Sequence, residues 1–461
     1  MPGPCGRQNH TAVIKPLPMK TYFSPMTALA VVVANMIGTG VFTSLGFQLV
    51  TLQSGFALIM LWVVGGVVAI CGALSYAELG AALPRSGGEY NFLGRIYHPG
   101  AGFVSGWISS TVGFSAPVAL AAMTFGAYTT SSLLPEASEQ MTNWVERGLA
   151  VALIVILTLI HTRQRETSGT FQSIFTAIKV LTIIVISAAG LILVADYQPV
   201  SLLPAAGDFG AITSGAFAVS LIYVSYAYTG WNVATYLTDE LEAPQRSLPR
   251  VLFAGAFGVM LLYILLNAVF LLTTPMELMV GEVEVGVIAA RHVFGQAGAM
   301  FTGAILGVLL ISTVSAMTIA GPRVLQVVGQ DIPAFRFLAK SNAEGMPTTA
   351  VLVQSGLALL FVITATFDQV LVFAGFTLAL NSLFAVFGLF ILRWRQPELA
   401  RPFRVPLYPF VPLVYLALTI WTLAYVAMER PQEVAVSVGL IVTGAIIYGL
   451  SRARGSAEEG T

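Results

Sequence analysis

Apolar and polar positions along this chain alternate in long blocks. Runs of ~20 apolar residues, about the length that crosses a bilayer as an α-helix, are separated by short segments carrying turn residues and charge. Read against those turn and charge signals, the runs predict about twelve membrane-spanning helices. They fall at 26–50, 56–82, 100–132, 146–161, 170–194, 212–238, 249–273, 297–328, 348–365, 368–394, 409–428 and 433–451. The stretch VEVGVIAARHVF, 283–294, predicts a short helix in an external loop. The fold class is an all-α integral membrane protein.

Composition agrees. The chain is 56% hydrophobic and 10% charged, whereas soluble domains carry about 25% charged residues. A formal net charge of zero names no partner; membrane lipid is expected around the chain, and no nucleic acid. The two cysteines, Cys5 in the polar tail and Cys71 within a span, make neither a disulfide nor a metal site, and no cofactor is expected. The first residues lack the apolar core and cleavage site of a signal peptide.

The distribution of charge sets an orientation. With the N-terminus inside, Arg147, Arg291 and Arg430 fall outside, Lys179 falls within a span, and every other Lys and Arg falls inside. This asymmetry under the positive-inside rule supports an even number of spans and cytoplasmic termini. It makes 1–25 and 452–461 cytoplasmic tails of a multi-pass cell-membrane protein. No soluble domain is attached.

Two spans are interrupted at their centres. NMIGTG, 35–40, breaks the first run, and Thr229-Gly230, followed by Trp231 and Asn232, breaks the sixth. An unsatisfied backbone group in hydrocarbon costs several kcal/mol, so each break needs a partner. Glycines also serve close helix packing, and one GxG would carry no more than that. Two breaks five helices apart, in corresponding positions of two halves, mark the binding site of a membrane carrier. Free N–H groups where a half-helix starts attract a carboxylate, and free carbonyls where one ends attract an ammonium. Together they match a zwitterion.

At these residues the chain resembles the amino acid–polyamine–organocation superfamily, and within it the L-type amino acid transporter branch. Met36-Ile37-Gly38-Thr39-Gly40-Val41-Phe42 is similar to that family's first-helix signature. SYAELGAALPRSGGEYNFL (75–93), YAYTGWN (226–232) with TDELEAPQRSLPR after it, and RQPELARPFRVPLYPFVP (395–412) are similar to its second helix, sixth helix and eleventh-helix approach. The resemblance implies a LeuT-type fold. Residues 26–394 would form a ten-helix core of inverted repeats, 26–194 and 212–394, and 395–451 would add two peripheral helices. It implies sodium-independent amino acid transport by alternating access, as an exchanger or proton symporter.

By similarity, the amides of Thr39 and Gly40, beside Gly38 and Ile37, would receive the substrate carboxylate. The carbonyls of Met36, Tyr226, Ala227 and Thr229 would receive the ammonium. Tyr226 stands at the family's aromatic gate, and Trp231 and Asn232 near its side-chain subsite. Thr229 replaces a residue that is often glycine in the eukaryotic branch. Lys179 lies about three turns into its span, where a charge costs roughly 2.5–3.5 kcal/mol. In members resembling this chain such a lysine replaces a sodium ion; its expected neighbours are carbonyls near Met36 and a hydroxyl, Thr313 or Ser315. Glu78 is expected to cap its helix or pair with an inner-loop arginine. Asp239, Glu240 and Arg246 would form an inner gate with Arg323 or Arg85. Asn381 is a polar residue without a secure place in the family's pattern.

No ionisable group other than Lys179 falls in the middle of the predicted bundle helices, which favours small or medium neutral amino acids. A cationic amino acid or polyamine exchanger would need an acidic side chain in the site, and a non-transporting amino acid sensor would keep the site without turnover. The four histidines are scattered and neither HExxH nor GxSxG occurs, so an enzyme is not expected. The segment between the third and fourth spans has no cysteine. A disulfide-linked glycoprotein subunit is therefore not expected, and the chain is read as prokaryotic.

Overall fold

The computed structural model describes residues 24–163, 169–331, 333–342 and 346–458. Helices account for all its regular elements; no strand occurs among the described residues. The first span is α1 (Pro25–Met36) and α2 (Gly40–Gln48), and the second is α3 (Gly55–Ala82). The short α4 (Glu89–Ile96) follows. The third span joins α5 (Pro99–Ile108), a π turn at Ser109–Gly113 and α6 (Ser115–Leu133). The fourth and fifth are α7 (Glu139–His161) and α8 (Gly169–Leu193). After the short α9 (Asp208–Ile212), the sixth begins as α10 (Gly215–Ala227) and resumes as a 3₁₀ segment, Val233–Glu240. Then come α11 (Pro244–Thr273), α12 (Val285–Asp331), α13 (Thr348–Thr364), α14 (Phe367–Arg395), α15 (Phe410–Glu429) and α16 (Pro431–Glu458).

Ten of these spans are long and apolar enough to cross a membrane, and the shorter apolar helices α10 and α13 complete the expected series. Two helix ends differ most from expectation, the end of α16 at Glu458 and the start of α7. α7 starts at Glu139 because Ser138 caps it, accepting from the Met141 amide; its first two turns are polar and invisible to an apolar-run criterion. The helix expected at 283–294 is the first part of α12, set off from the span by Gly295 at φ 71°, ψ −170°. Proline opens α11 at its first turn, where a missing N–H costs nothing.

α3 packs along α11, α6 along α12 and α7, and α1 against α11 and α8. The two broken spans meet at their breaks. A Cβ on Gly40 would stand 2.6 Å from the Ala227 Cα, and one on Gly230 would stand 2.8 Å from the Asn35 carbonyl carbon and oxygen.

A fixed joint ties the inner ends of α3 and α14, inner and outer being those of the sequence reading. Glu78, fully buried, accepts from Arg393 through both oxygens (2.8 and 2.6 Å) and from the Val405 amide (2.7 Å). Arg401 lies 3.6 Å away. The partners of Glu78 are thus at the end of α14 and in the segment after it, and no arginine of the loop after α3 takes part. Sequence distance hides this pairing. Removing one member of a buried ion pair strands the others, at about 3–5 kcal/mol. Glu78→Ala is therefore expected to lower the thermal unfolding midpoint in detergent clearly, whereas substitution of the exposed Trp394 leaves it near the wild-type value.

Candidate substrate site

The first break starts at Ile37, which leaves helical geometry at φ −76°, ψ 82°. The Gly38 amide turns back onto the Met36 carbonyl (2.8 Å), and the chain re-enters a helix at Gly40. The amides of Thr39, Gly40 and Val41 find no acceptor among the described residues. They form the positive end of α2, where an anion is favoured. In the sixth span Thr229 bends the chain over: its amide and its hydroxyl both donate to the Tyr226 carbonyl (2.9 and 2.7 Å). Gly230 follows at φ 100°, a conformation that favours glycine.

The four carbonyls named from the sequence are not equivalent. Tyr226 is taken twice by Thr229. Tyr263 of α11 places its hydroxyl between the Met36 carbonyl (2.5 Å) and the Ala227 carbonyl (3.0 Å). Its single proton serves one at a time. Only the Thr229 carbonyl has no donor among the described residues. An ammonium therefore finds Thr229 open, Ala227 shared with a hydroxyl, and Met36 and Tyr226 already occupied. Tyr263 was missed in the sequence; a hydroxyl in the middle of an apolar run was the available signal.

Lys179 is 5% exposed. Its ammonium donates to the Ile37 carbonyl (3.0 Å), the Thr313 hydroxyl (3.0 Å) and, at longer range, the Ala34 carbonyl (3.4 Å). It thus ties α8 to the end of α1 and to α12. Of the two hydroxyls expected, only Thr313 reaches it. Ser315 points to the other side of α12, 2.8 Å from His161 Nε2. A small cavity of about 10 Å³ adjoins the lysine, lined by Ile37, Gly38 and Thr313 among others.

The main cavity, about 150 Å³, brings together Met36, Gly38, Thr39, Gly40, Tyr226, Ala227, Thr229, Trp231 and Asn232. Ile37 faces the smaller cavity instead. Trp231 also packs edge-on against Tyr76, with ring centroids 4.7 Å apart, so it is wall and packing residue at once. Asn381 lines the cavity from α14, and Ser109 and Gly113 line it from the π turn. A π turn is rare and frequent at functional sites; nothing in the sequence marked it.

One ionisable group enters that the sequence reading did not place there. Glu89, the first residue of α4, lines the cavity and is 2% exposed. Its Oε1 accepts from the Tyr76 hydroxyl (2.9 Å) and the Asn232 amide (2.5 Å), and its Oε2 accepts from the Tyr236 hydroxyl. Glu89 lies outside the predicted spans, so the count of charges in the helix middles did not include it: the short α4 carries a carboxylate to the cavity. The side chains of Asp239 and Glu240 lie outside the described residues. No ion pair joins Arg246, Arg323 or Arg85 to an acid among the described residues.

Beyond the outer end of the cavity, α10 and α14 are pinned. Tyr223 donates to Asp368 (2.7 Å), and Arg430 reaches both Asp368 (2.9 Å) and the Tyr223 oxygen (3.1 Å). Phe47 of α2 stacks on Tyr223 and on Phe367.

Two spans broken at one level line one cavity together, the arrangement in which a membrane carrier holds its substrate. The amino acid permease family model matches residues 23–451. The chain is 30% identical over 446 residues to the large neutral amino acids transporter small subunit 2 of Homo sapiens, covering 93% of this chain and 80% of that protein. It is 30% identical to the Asc-type amino acid transporter 1 of Mus musculus (93% and 81% covered), and 24% identical to the b(0,+)-type amino acid transporter 1 of Mus musculus (96% and 90%). The chain belongs to the amino acid permease family, a family of transporters and not of enzymes.

Proposed function

We propose that the protein is a sodium-independent secondary transporter of neutral amino acids, working by alternating access as an exchanger or proton symporter. The observation that carries this reading is the pairing of unbonded Thr39, Gly40 and Val41 amides with the open Thr229 carbonyl around one cavity. The amides take the carboxylate and the carbonyl takes the ammonium. Tyr226 acts as the gate over the substrate. Lys179, with Thr313, fills with a fixed ammonium the place a sodium ion would hold. A cavity of about 150 Å³ is small beside the ~300–1,000 Å³ of pockets for drug-sized ligands, which favours alanine, serine, threonine or valine. Residues 26–194 and 212–394 are the inverted repeats, and 395–451 is peripheral. The protein sits in the cell membrane with both termini cytoplasmic. The segment between α6 and α7 carries no cysteine, which supports work without a disulfide-linked subunit.

A second reading, a carrier of cationic amino acids, is favoured by Glu89 in the cavity wall. The neutral reading is preferred because both Glu89 oxygens already accept from wall residues.

The test is uptake of labelled alanine into sodium-free proteoliposomes, loaded with unlabelled alanine or with buffer, at two internal pH values. Uptake is expected in one loading or the other. Dependence on internal amino acid identifies an exchanger, and uptake into empty vesicles under an inward proton gradient identifies a symporter. Binding without uptake in either would mark a sensor and overturn the reading.

A further inference from the structure

We propose that Glu89 is the positioning residue of an inner latch. Its carboxylate holds α4, α3 and the 3₁₀ half of the sixth span together at the cavity wall, and passage toward the inner face requires these bonds to part. The inference rests on the alternating-access reading above.

The contacts come from separate elements. Tyr76 belongs to α3, and Asn232 and Tyr236 belong to the sixth span beyond its break. Tyr236 also lies 3.3 Å from the Ser109 hydroxyl of the π turn. Around one carboxylate, four parts of the bundle are thus joined. The backbone brings them close. The Gly88 amide bonds to the Thr235 carbonyl (3.3 Å), and a Cβ on Gly88 would stand 2.9 Å from the Tyr236 ring. Gly88 also holds φ +52°. The glycine before Glu89 therefore lets α4 lie directly on the tyrosine.

The chemistry suits a bond that opens. Hydrogen bonds to a carboxylate are roughly twice as strong as neutral ones, which keeps the latch closed while the site is dry. All three donors are uncharged, and no Lys, Arg or His pairs with Glu89 among the described residues. When the segments part, water can satisfy each group separately, and no cation is left stranded in the wall. Glu78 provides the contrast within the same fold. It is clamped by Arg393 and the Val405 amide and does not line the cavity: a permanent joint, whereas Glu89 is a separable one.

Substituting the carboxylate by an amide keeps its shape and breaks its bonding. Oε1 faces two donors and Oε2 faces one. A glutamine nitrogen would settle opposite Tyr236, whose hydroxyl can turn, and the charged bond to Tyr236 would be lost. Glu89→Gln and Tyr236→Phe should therefore weaken the same contact.

The experiment uses the full chain with Cys5→Ser and Cys71→Ala, and Ala379→Cys in the cavity wall as reporter. A membrane-impermeant methanethiosulfonate is applied to each face in turn, in oriented vesicles. Glu89→Gln and Tyr236→Phe are each expected to raise the labelling rate from the inner face at least tenfold without raising it from the outer face. The double variant should be no faster than the faster single one. Unchanged inner-face rates would overturn the latch, and so would equal rises at both faces, which report loosened packing. Should Glu89→Gln fail to purify as a single species, Tyr236→Phe, lacking one oxygen, carries the test. Labelling requires no transport. Normal uptake by the wild-type chain with unchanged labelling in the variants sinks the latch alone, and absent uptake by the wild-type chain with inner-face labelling raised in both variants sinks the transport reading alone.

Discussion

Lys179→Ala is expected to reduce amino acid uptake at least ~100-fold, about 2.7 kcal/mol at 1.36 kcal/mol per tenfold, while the protein still inserts and purifies. The donor count explains why. The Thr313 hydroxyl donates its proton to the Leu309 carbonyl (3.0 Å), so toward Lys179 it can only accept. The Ile37 and Ala34 carbonyls also only accept. Three acceptors need three N–H groups, and only a protonated lysine has three. The charge therefore belongs to this conformation. Alanine leaves the carbonyls of the unwound first span without a donor in a buried place, and an unsatisfied buried acceptor costs about 1–3 kcal/mol each. The end of α1 then loses its register against α8 and α12, and with it the aim of the Thr39 and Gly40 amides. Counter-flow exchange and net uptake should be measured side by side. Loss of both makes Lys179 a fixed structural charge; loss of proton-driven uptake with exchange retained makes it the proton carrier. Uptake within twofold of wild type in both assays would refute its assigned place in the site.

The features that were legible in the sequence are local ones. Each of the two breaks is written in a few consecutive residues, Gly38-Thr39-Gly40 and Thr229-Gly230, and each interrupts an apolar run whose length is itself a signal. Lys179 stood out because the residues around it are apolar. What stayed hidden depends on partners far along the chain. Tyr263 reaches Met36 across 227 positions, and Asn232 reaches Glu89 across 143. Neither pairing leaves a periodic trace. Glu89 reads as a loop residue of a polar stretch, SGGEY, until the fold turns that stretch under the bundle. Glu78 shows the same limit: pairing with an arginine of the inner side was legible, but not which one, since Arg393 lies 315 positions away. The π turn is invisible for another reason. Ser109–Gly113 has the composition of an ordinary small-residue helix, and the extra backbone residue is decided by packing.

The second large effect is expected at Gly230. Gly230→Ala should abolish measurable uptake, a loss again of ~100-fold or more. Two penalties coincide there. At φ 100° a side chain is strained, by roughly 1–2 kcal/mol in the left-handed region. The added Cβ would also lie 2.8 Å from the carbonyl carbon and oxygen of Asn35, which are backbone and cannot swing aside. Relief requires the sixth span to move away from the last turn of α1. That movement separates the Thr229 carbonyl from the α2 amides, the two poles between which a zwitterion would lie. Gly38 supplies the comparison. A Cβ there meets nothing within 4 Å, and Gly38 borders the cavity. Gly38→Ala should assemble normally and act by filling space, raising the KM for valine more than the KM for alanine. Gly230→Ala should instead depress uptake of both amino acids alike, because it displaces the site without narrowing it. Thermal unfolding of the two variants in detergent, with uptake of both amino acids, separates these outcomes. A Gly230→Ala protein that transports with only a changed preference between alanine and valine would show that the two breaks need not touch for the site to work.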